Sequence, residues 1–270
     1  MLAGREWLLA VDVGNTQVVL GVLENRELRA LHRLTSQVHR TADELCPLLT
    51  TLLRPFLADL MRSRRAVIAS VVPTLTAAYE DLAVRLLRAR PILVSSRLPL
   101  GLRLAVPDPT SVGADRIANA VGVAAGYRLP AIVVDMGTAT TFDLVLPGPR
   151  YAGGVIAPGV ASSAEELFRR AARLAKVELR APARVVGRTT EASLQSGIIY
   201  GAAGQIDGIV GRIRREMRLR PTVVATGGLA TVIGPICSSI QSVDPGLTLR
   251  GLALIDERAR RRGPARRKSP

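Results

Sequence analysis

The chain has 270 residues, 48% of them hydrophobic, which is enough apolar material for one large domain or two ordinary ones without disulfide cross-links. The net charge of +15 is compatible with a nucleic-acid partner, but seven of the 37 basic residues lie in residues 258–270. Only 3% of residues are aromatic, too few for a base-stacking surface, so we do not expect nucleic acid as the main partner. Cys46 and Cys237 lack a CxxC spacing, and no apolar run approaches the roughly 20 residues that span a bilayer, so we expect a cytoplasmic protein without a zinc site or a membrane partner.

Apolar runs typical of strands alternate with segments of helical periodicity, a pattern that indicates an α/β protein. The Thr41-x-x-Glu44 sequence is a capping box and predicts the start of the first helix. The first half predicts, in chain order, strands near 7–12, 17–23 and 28–34, a helix from about Ala42, a strand at 66–72, the helix "TLTAAYEDLAVRLLRAR" and the strand "PILVSS".

The second half repeats this alternation of strands and helices. Ser162-x-x-Glu165 is a second capping signal. The predicted elements are a helix from about Ala114 to Tyr127, the strand–turn–strand "VVDMGTATTFDLV" at 133–145, the loop "YAGGVIAPGV", the helix "SSAEELFRRAARLA", a long helix from about Thr190 to Arg218, the strand "TVVATGG" and the closing segment "PGLTLRGLALIDERARR".

The segment 98–113 is rich in turn-forming residues and predicts the domain boundary. The division is therefore an N-terminal domain at 1–108, a C-terminal domain at 109–256 and a basic, disordered tail at 257–270. Two interpretations of the tail stay open: a solvated segment, or a weak contact for a nucleic acid or another polyanion.

An aspartate followed by a glycine turn occurs once in each half. Asp12-x-Gly14-Asn15-Thr16 follows the first strand, and Asp135-x-Gly137-Thr138 follows the equivalent strand 123 residues later. Each sequence alone is compatible with an ordinary β-turn and a capping aspartate. Two copies at matching positions indicate an internal duplication, and two copies are too few for a solenoid.

These turns have the chemistry of a phosphate site. A glycine lets main-chain N–H groups approach an anion, and Asn15, Thr16, Thr138, Thr140 and Thr141 supply further donors. A carboxylate beside phosphate is repelled unless a cation stands between them. Asp12 and Asp135 are therefore candidate partners of Mg²⁺ or a monovalent cation.

The stretch "DPTSVGADRIANAVGVAAGY" at 108–127 provides a candidate proton acceptor. Asp115 and Arg116 fall in the first turn of the predicted helix, where the positive helix end favours negative charge. An ionised aspartate beside an anion-binding arginine suits a general base and a substrate anchor. The alternative is an aspartate that only stabilises the helix.

Other nucleotide-binding motifs are excluded. The chain has two lysines, Lys176 and Lys268, and neither follows a glycine-rich loop, so the P-loop motif is absent. No GxGxxG joins the first strand to a helix, which disfavours a dinucleotide site. The turn "ATGGLA" at 225–230 has room for a planar ring or a ribose against its backbone.

Six motifs make the chain similar to the type III pantothenate kinases of the acetate and sugar kinase, Hsp70 and actin superfamily. The resemblance covers about residues 7–255. It rests, in the order found in that family, on "DVGNT" at 12–16, "VGADR" at 112–116, "DMGTATT" at 135–141, "GGVIAPG" at 153–159, "TTEASLQSG" at 189–197 and "TGGLA" at 226–230.

The resemblance implies two duplicated actin-like (ribonuclease H-like) α/β domains with a nucleotide cleft between them. It implies ATP-dependent phosphorylation of the primary hydroxyl of pantothenate, the first step of coenzyme A synthesis. The implied cofactors are ATP, Mg²⁺ and a monovalent cation, K⁺ or NH₄⁺. The implied partner is a second copy of the chain, with the acceptor pocket at the homodimer interface.

The resemblance also implies roles for individual residues. Asp115 is the proton acceptor, and Asp135 helps to hold the monovalent cation. Pantothenate is bound by Gly113, Ala114, Asp115, Arg116 and Thr190. ATP is bound by Asp12, Val13, Gly14, Asn15, Thr16, Gln17, Val18, Val19, Gly137, Thr138, Gly227 and Gly228.

The chain departs from the family pattern at two places. "RLAVPDP" stands where many members have an aromatic residue, so one wall of the acceptor pocket at 103–109 is undefined, and Thr189 replaces an asparagine before Thr190. Two alternatives to a pantothenate kinase stay open. One is another small-molecule kinase of the superfamily, and the other is a non-catalytic nucleic-acid-binding regulator that retains the fold.

Overall fold

A computed structural model describes residues 5–171 and 175–261. The chain divides into two compact units, residues 1–125 with 246–270 and residues 126–245. This division differs from the boundary expected after residue 108, because the helix that begins at Ala114 and the last helix both belong to the first unit. Each unit has its own hydrophobic core.

The first unit is built on a mixed sheet. β1 and β2 form an antiparallel hairpin, β3 pairs antiparallel with β2, and β4 and β5 continue the sheet in parallel from β1, giving the order β3-β2-β1-β4-β5. β1 is buried along nearly its whole length, as expected of a central strand. The strands of this unit are β1 Trp7–Val13, β2 Gln17–Glu24, β3 Glu27–Thr35, β4 Ala66–Ser70, β5 Ile92–Leu93 and the short β6 Arg103–Leu104.

Three helices of the first unit begin within one residue of their predicted starts, at Ala42, Pro73 and Ala114, whereas no sequence pattern predicts the short helix at Leu57. The capping box is confirmed, since the Thr41 side chain accepts from the Glu44 N–H and the Glu44 carboxylate accepts from the Thr41 N–H. The helices are α1 Ala42–Leu53, α2 Leu57–Ser63, α3 Pro73–Leu87, α4 Ala114–Gly126 and α8 Leu247–Arg261, with a 3₁₀ turn at Pro109–Ser111.

The last helix returns to the first unit and supports α4. α8 contacts β1 and β4, and a side chain at Gly251 would collide with the Ala118 carbonyl, so the two helix backbones touch there. Thr248 Oγ1 donates to the buried Asn119 Oδ1 at 2.7 Å. At the other end of α8, the buried Asp256 accepts from Arg65 at 2.6 Å. α8 therefore holds α4 in place behind the candidate proton acceptor.

The second unit repeats the strand order of the first. β7 and β8 form an antiparallel hairpin, β9 pairs antiparallel with β8, and β10 and β11 continue in parallel from β7. Read from β9, the order β9-β8-β7-β10-β11 matches β3-β2-β1-β4-β5. The strands are β7 Ala131–Met136, β8 Ala139–Leu146, β9 Arg150–Pro158, β10 Thr222–Thr226 and β11 Ser242–Val243.

In the described part of the second unit, the helices that cover the sheet are α5 Val160–Arg170, α6 Thr190–Met217 and α7 Ala230–Ile233, with a 3₁₀ turn at Gly234–Ile236. The predicted bounds of α6 agree with the structure within one residue. The Thr189 hydroxyl caps α6 by accepting from the Ala192 N–H at 3.1 Å. No helix of the described residues is long and apolar enough to cross a membrane.

Four sequence predictions are corrected. The segment "YAGGVIAPGV", expected as a loop, forms most of the strand β9. Ser162 does not cap α5, which begins two residues earlier with Gly159 as its N-cap. "PILVSS" contributes only the two residues of β5 to a strand. Residues 257–261 of the predicted tail are the last turn of α8, and residues 262–270 lie outside the described part of the chain.

Candidate functional site

The first Asp-Gly turn closes the β1–β2 hairpin. Asp12 pairs with Val19 in the ladder, and the Gly14 N–H donates to the Gln17 carbonyl at 3.0 Å. Asp12 is half-buried, whereas the turn residues Asn15, Thr16 and Gln17 are exposed. The hairpin therefore exposes three residues whose side chains can donate hydrogen bonds, beside a half-buried carboxylate.

A residue that sequence reasoning missed fixes this turn from behind. Ser36 follows β3, and its Oγ donates to the Gly14 carbonyl at 2.6 Å while its N–H donates to the Thr16 carbonyl at 2.9 Å. Both bonds satisfy carbonyl groups of the turn and hold it against the end of β3. A serine 22 residues from its partner carries no local signal in the sequence.

A pocket lies at the same edge of this sheet. Val13 pairs with Ser70 at the carboxyl end of β4, and Ile68 pairs with Leu93 at the end of β5, so the carboxyl ends of the parallel strands lie side by side. The pocket has a volume of about 430 Å³. Its walls come from the residues after β4, the residues after β5 and the start of α4. Gly113 and Ala114, two predicted acceptor-site residues, are among them.

Asp115 lies in the first turn of α4, and its carboxylate folds back toward Gly113. Its Oδ1 accepts from the Arg116 N–H at 2.8 Å, and the Gly113 carbonyl accepts the helix bond of Ile117 at 3.0 Å. A side chain at Gly113 would place its Cβ 2.5 Å from Asp115 Oδ1. Glycine is therefore needed at 113 for the Asp115 carboxylate to take this position beside the pocket wall.

The second Asp-Gly turn closes the β7–β8 hairpin and is one residue shorter than the first. Asp135 pairs with Thr141, and the Gly137 N–H donates to the Ala139 carbonyl at 3.1 Å. On its other side Asp135 pairs with Thr226, the last residue of β10, so the "TGG" turn follows directly beside it. Gly227 therefore lies beside this turn, and the exposed Gly228 follows it.

Gly227 is required by both its backbone and its surroundings. Its φ of +94° lies in the region that only glycine adopts easily. A Cβ there would lie 2.6 Å from Asp135 Oδ1 and 2.6 Å from the Met136 nitrogen. The Asp135 carboxylate thus rests against a bare backbone that leaves no room for a side chain.

The loop at Thr138 is held by the start of α5. Ser162 Oγ donates to the Thr138 carbonyl at 3.1 Å, and a side chain at Gly159 would collide with that carbonyl. Ser162 therefore bonds to the turn and does not cap α5, although its spacing to Glu165 is that of a capping box. Ser36 and Ser162 occupy comparable places, each bonding a carbonyl of one turn.

A buried carboxylate supports the second hairpin. Asp143 on β8 is fully buried and accepts from Tyr151 Oη at 2.8 Å and from Thr141 Oγ1 at 3.3 Å. Thr141 is the ladder partner of Asp135, so this network fixes the residue opposite the candidate cation ligand. The sequence contains no pattern that identifies Asp143 as more than a strand residue.

Thr190, the last predicted substrate residue, lies in the second unit as the exposed first residue of α6. The segment before it packs closely on α6. Ser196 Oγ donates to the Val185 carbonyl, and Tyr200 Oη donates to the Pro182 carbonyl at 2.8 Å. These bonds fix the segment that precedes Thr190 against α6.

An apolar groove of about 420 Å³ lies between α5 and α6 in the second unit. Gly197 and Gly201 form part of its α6 wall, and nothing lies within 4 Å of a side chain added at either. Ile156 and Leu167 are exposed large hydrophobics of this unit, at 64% and 42%.

The structure thus groups the predicted residues into two sets. The first unit holds the residues Asp12 to Val19 and Gly113 to Arg116, and the second holds Asp135, Gly137, Thr138, Gly227, Gly228 and Thr190. Within the described residues, no group of three or more His, Cys, Asp or Glu side chains is arranged to hold a metal ion. A cation at Asp135 would therefore need oxygen ligands from a substrate or from the backbone as well.

Comparison with known proteins shows the family of the chain. A family model described as type III pantothenate kinase matches residues 8–212. A type III pantothenate kinase from Moorella thermoacetica is 45% identical over 251 residues, which are 93% of this chain and 99% of that protein.

Solved structures at low identity show the fold. Component A of the (R)-2-hydroxyglutaryl-CoA dehydratase of Acidaminococcus fermentans is similar with a TM-score of 0.55 at 14% identity, covering 95% of this chain and 98% of that one. MreB 5 of Spiroplasma citri bound to AMPPNP has a TM-score of 0.54 at 11% identity, covering 93% and 96%. The expected fold class of duplicated actin-like α/β domains is confirmed.

Proposed function

The chain belongs to the type III pantothenate kinase family, and we propose that it transfers the terminal phosphoryl group of ATP to the primary hydroxyl of pantothenate, the first step of coenzyme A biosynthesis. One observation carries the proposal. The Asp12 turn, the pocket and the Gly113–Arg116 segment meet at one edge of one sheet in the first unit, with Val13 paired to the pocket residue Ser70. A donor-lined turn and an acceptor-sized pocket are thereby neighbours.

Asp115 is the proposed proton acceptor for the pantothenate hydroxyl. Phosphoryl transfer depends mainly on positioning and on charge stabilisation, so the base must be held beside the acceptor and not merely nearby. The bond from the Arg116 N–H and the absence of a side chain at Gly113 support this role, because both keep the carboxylate next to the pocket wall. Gly113, Ala114, Arg116 and Thr190 complete the proposed pantothenate site.

The two Asp-Gly turns are the proposed binding elements for the ATP phosphates. The exposure of Asn15, Thr16 and Thr138 supports this role, since their side chains carry hydrogen-bond donors that can bind phosphate oxygens. That both turns contact one triphosphate in a cleft is the sequence prediction, and it stays a prediction. The proposed ATP residues are Asp12, Val13, Gly14, Asn15, Thr16, Gln17, Val18, Val19, Gly137, Thr138, Gly227 and Gly228.

Asp135 is the proposed ligand of a monovalent cation, K⁺ or NH₄⁺, and Mg²⁺ is the proposed partner of ATP. A bound cation neutralises phosphate charge beside the carboxylates. The position of Asp135 at the end of β7, between the glycine turns at Gly137 and Gly227, supports this role, because a carboxylate oxygen is a suitable ligand for such a cation and glycine backbone lets phosphate oxygens approach. The chain's own contribution is to hold Asp135 through its ladder partners Thr141 and Thr226.

A homodimer in the cytoplasm is the proposed working form. The apolar groove between α5 and α6 and the exposed Ile156 support a protein contact on the second unit, because monomers rarely leave such surface in contact with water. Light scattering across a range of protein concentrations tests this part, and a concentration-independent monomer would contradict it.

The experiment for the reaction is ADP release by the purified chain with and without pantothenate, in K⁺ and in Na⁺ buffer. We expect turnover that requires pantothenate and Mg²⁺ and that is faster in K⁺. ATP consumption with a different alcohol or carboxyl acceptor would indicate another kinase of the superfamily. Salt-sensitive nucleic-acid binding without any ADP release would indicate the regulator.

A further inference from the structure

Most of the side chains that line the pocket of the first unit have no role in the reaction proposed above. Five of its side chains carry hydroxyl groups and three are valines, and they surround a volume of about 430 Å³, within the range of small-molecule sites. The hydroxyl side chains are Ser70, Ser95, Ser96, Thr110 and Ser111.

Arg97 is the one charged side chain among the residues that line this pocket. It follows the carboxyl end of β5 and is exposed. Among the described residues it has no ion-pair partner, whereas Arg65, Arg85 and many other arginines of the chain are paired with carboxylates. The pocket therefore combines hydroxyl groups, an apolar portion and one positive charge that no acidic side chain of its lining neutralises.

The two walls of the pocket differ in chemistry. The wall at Gly113 and Ala114 leads to Asp115, and Val71 Cγ1 would lie 3.7 Å from a Cβ at Gly113, so that wall is partly apolar. Arg97 lies on the wall that follows β5. β5 is two strands from β1 across β4. At a spacing of about 4.8 Å per strand, the end of β5 that precedes Arg97 lies about 10 Å from the end of β1 that precedes the Asp12 turn.

Pantothenate has matching chemistry along its length. Its reacting hydroxyl and its carboxylate stand at opposite ends, and two methyl groups flank the hydroxyl end. With the hydroxyl at the Asp115 wall, the methyl groups face the valines and the carboxylate points toward the far wall. A guanidinium there forms a charge-assisted hydrogen bond with the carboxylate.

We propose that Arg97 is a specificity-determining residue that binds the carboxylate of the acceptor in this pocket. The inference rests on the proposed function and adds to it the group that distinguishes an acidic acceptor from a neutral one. Arg116, in the first turn of α4, keeps its separate role at the reacting end.

The test compares pantothenate with its primary amide, in which the carboxylate is replaced by a neutral group of similar shape. We expect Arg97→Ala to raise the KM for pantothenate about tenfold, the size of one hydrogen bond to a charged group, with little change in kcat or in the KM for the amide. Arg97→Lys keeps the charge and should recover part of the loss. Arg90→Ala is the matched control, because Arg90 is an exposed arginine before β5 and does not line the pocket.

The possible results separate a failure of the Arg97 inference from a failure of the proposed function. If Arg97→Ala leaves the KM for pantothenate within twofold of the parent, or raises both acceptors' KM values equally, the inference is wrong. An equal rise with Arg90→Ala would indicate general charge attraction and would also overturn it. If the parent enzyme releases no pantothenate-dependent ADP, the proposed function fails first, and that result is distinguishable from normal turnover with no effect at Arg97.

Discussion

The two units place the same strand order and the same Asp-Gly hairpin in different surroundings. In the first unit, the parallel strand beside the hairpin ends in Ser70 and opens into a pocket of about 430 Å³. In the second, the equivalent strand ends in Thr226, and Gly227 closes directly against the Asp135 carboxylate. The duplicated framework is thus retained while the residues after the strand differ, since one strand end borders a pocket and the other packs against a carboxylate.

The largest effect should come from the base of the first unit. We expect Asp115→Asn to lower kcat between a hundredfold and ten-thousandfold, the usual contribution of a positioned general base. Asp59→Asn is the control, since Asp59 also lies in the first turn of a helix of the same unit, α2. Steady-state ADP release measures both. Parent-like turnover by the Asp115 variant would remove the functional difference between the two units.

The closed edge of the second unit can be broken at Gly227. Gly227→Ala forces a methyl group against Asp135 and should raise the KM for ATP on the order of tenfold, in addition to the backbone cost of about 1 kcal/mol at positive φ. Gly148→Ala is a matched control, because Gly148 also has a positive φ, +72°, but nothing lies within 4 Å of an added side chain. Equal ATP kinetics for the two variants would show that the collision is irrelevant to ATP.

The two serines that hold the turns allow a finer comparison. Ser36→Ala and Ser162→Ala should each raise the KM for ATP about two- to tenfold, the value of one lost hydrogen bond, with the larger effect at the shorter bond of Ser36. Ser63→Ala is the control, because Ser63 donates a bond of 2.6 Å to the Trp7 carbonyl at the opposite end of β1. A comparable rise in KM for the Ser63 variant would mean that stability, and not turn geometry, causes the effect.

The smallest effect concerns the contact between α6 and the segment at Ser238 and Ser239 in the second unit. Asp207 is partly desolvated, which opposes its ionisation, but bonds from Ser239 and Ser238 outweigh this and lower its pKa below the ordinary 3.8. Asp207→Asn should therefore cost about 1 kcal/mol of unfolding free energy at neutral pH. Because folding lowers this pKa, the contribution is complete above pH 3.8 and is lost as the pH falls through the lowered value.

Denaturant titrations of parent and variant at several pH values measure this difference. The gap in unfolding free energy between them should narrow as the solution becomes more acidic. A gap that widens on acidification would contradict the assignment of the lowered pKa to Asp207.

Local patterns in the sequence predict most of the elements. The alternation of apolar runs predicts β1 to β4, and the Thr41 capping box and the Thr189–Thr190 start predict α1 and α6. The duplication of the Asp-Gly turns predicts the matching strand orders. These features depend on neighbouring residues, so a single sequence contains the information.

The remaining features depend on contacts between distant residues. Ser36 reaches Gly14, Ser162 reaches Thr138, and α8 returns to pack on β1, and no periodicity encodes such pairings. Ser162 even has a local pattern that predicts a different role. The pocket around Arg97 is likewise formed by segments after two strands and before a helix, which only the folded chain brings together.

The most direct test of the shared-triphosphate prediction is ATP affinity of the parent chain, Asp12→Asn and Asp135→Asn by calorimetry, with Mg²⁺ and K⁺ and again in a chelating buffer free of both. If cations mediate between each carboxylate and the phosphates, both variants should bind ATP more weakly with cations present. Without cations both should bind it as well as the parent or better, because a repulsive charge has been removed. Unchanged affinity of either variant in both buffers would contradict a nucleotide site to which both turns contribute.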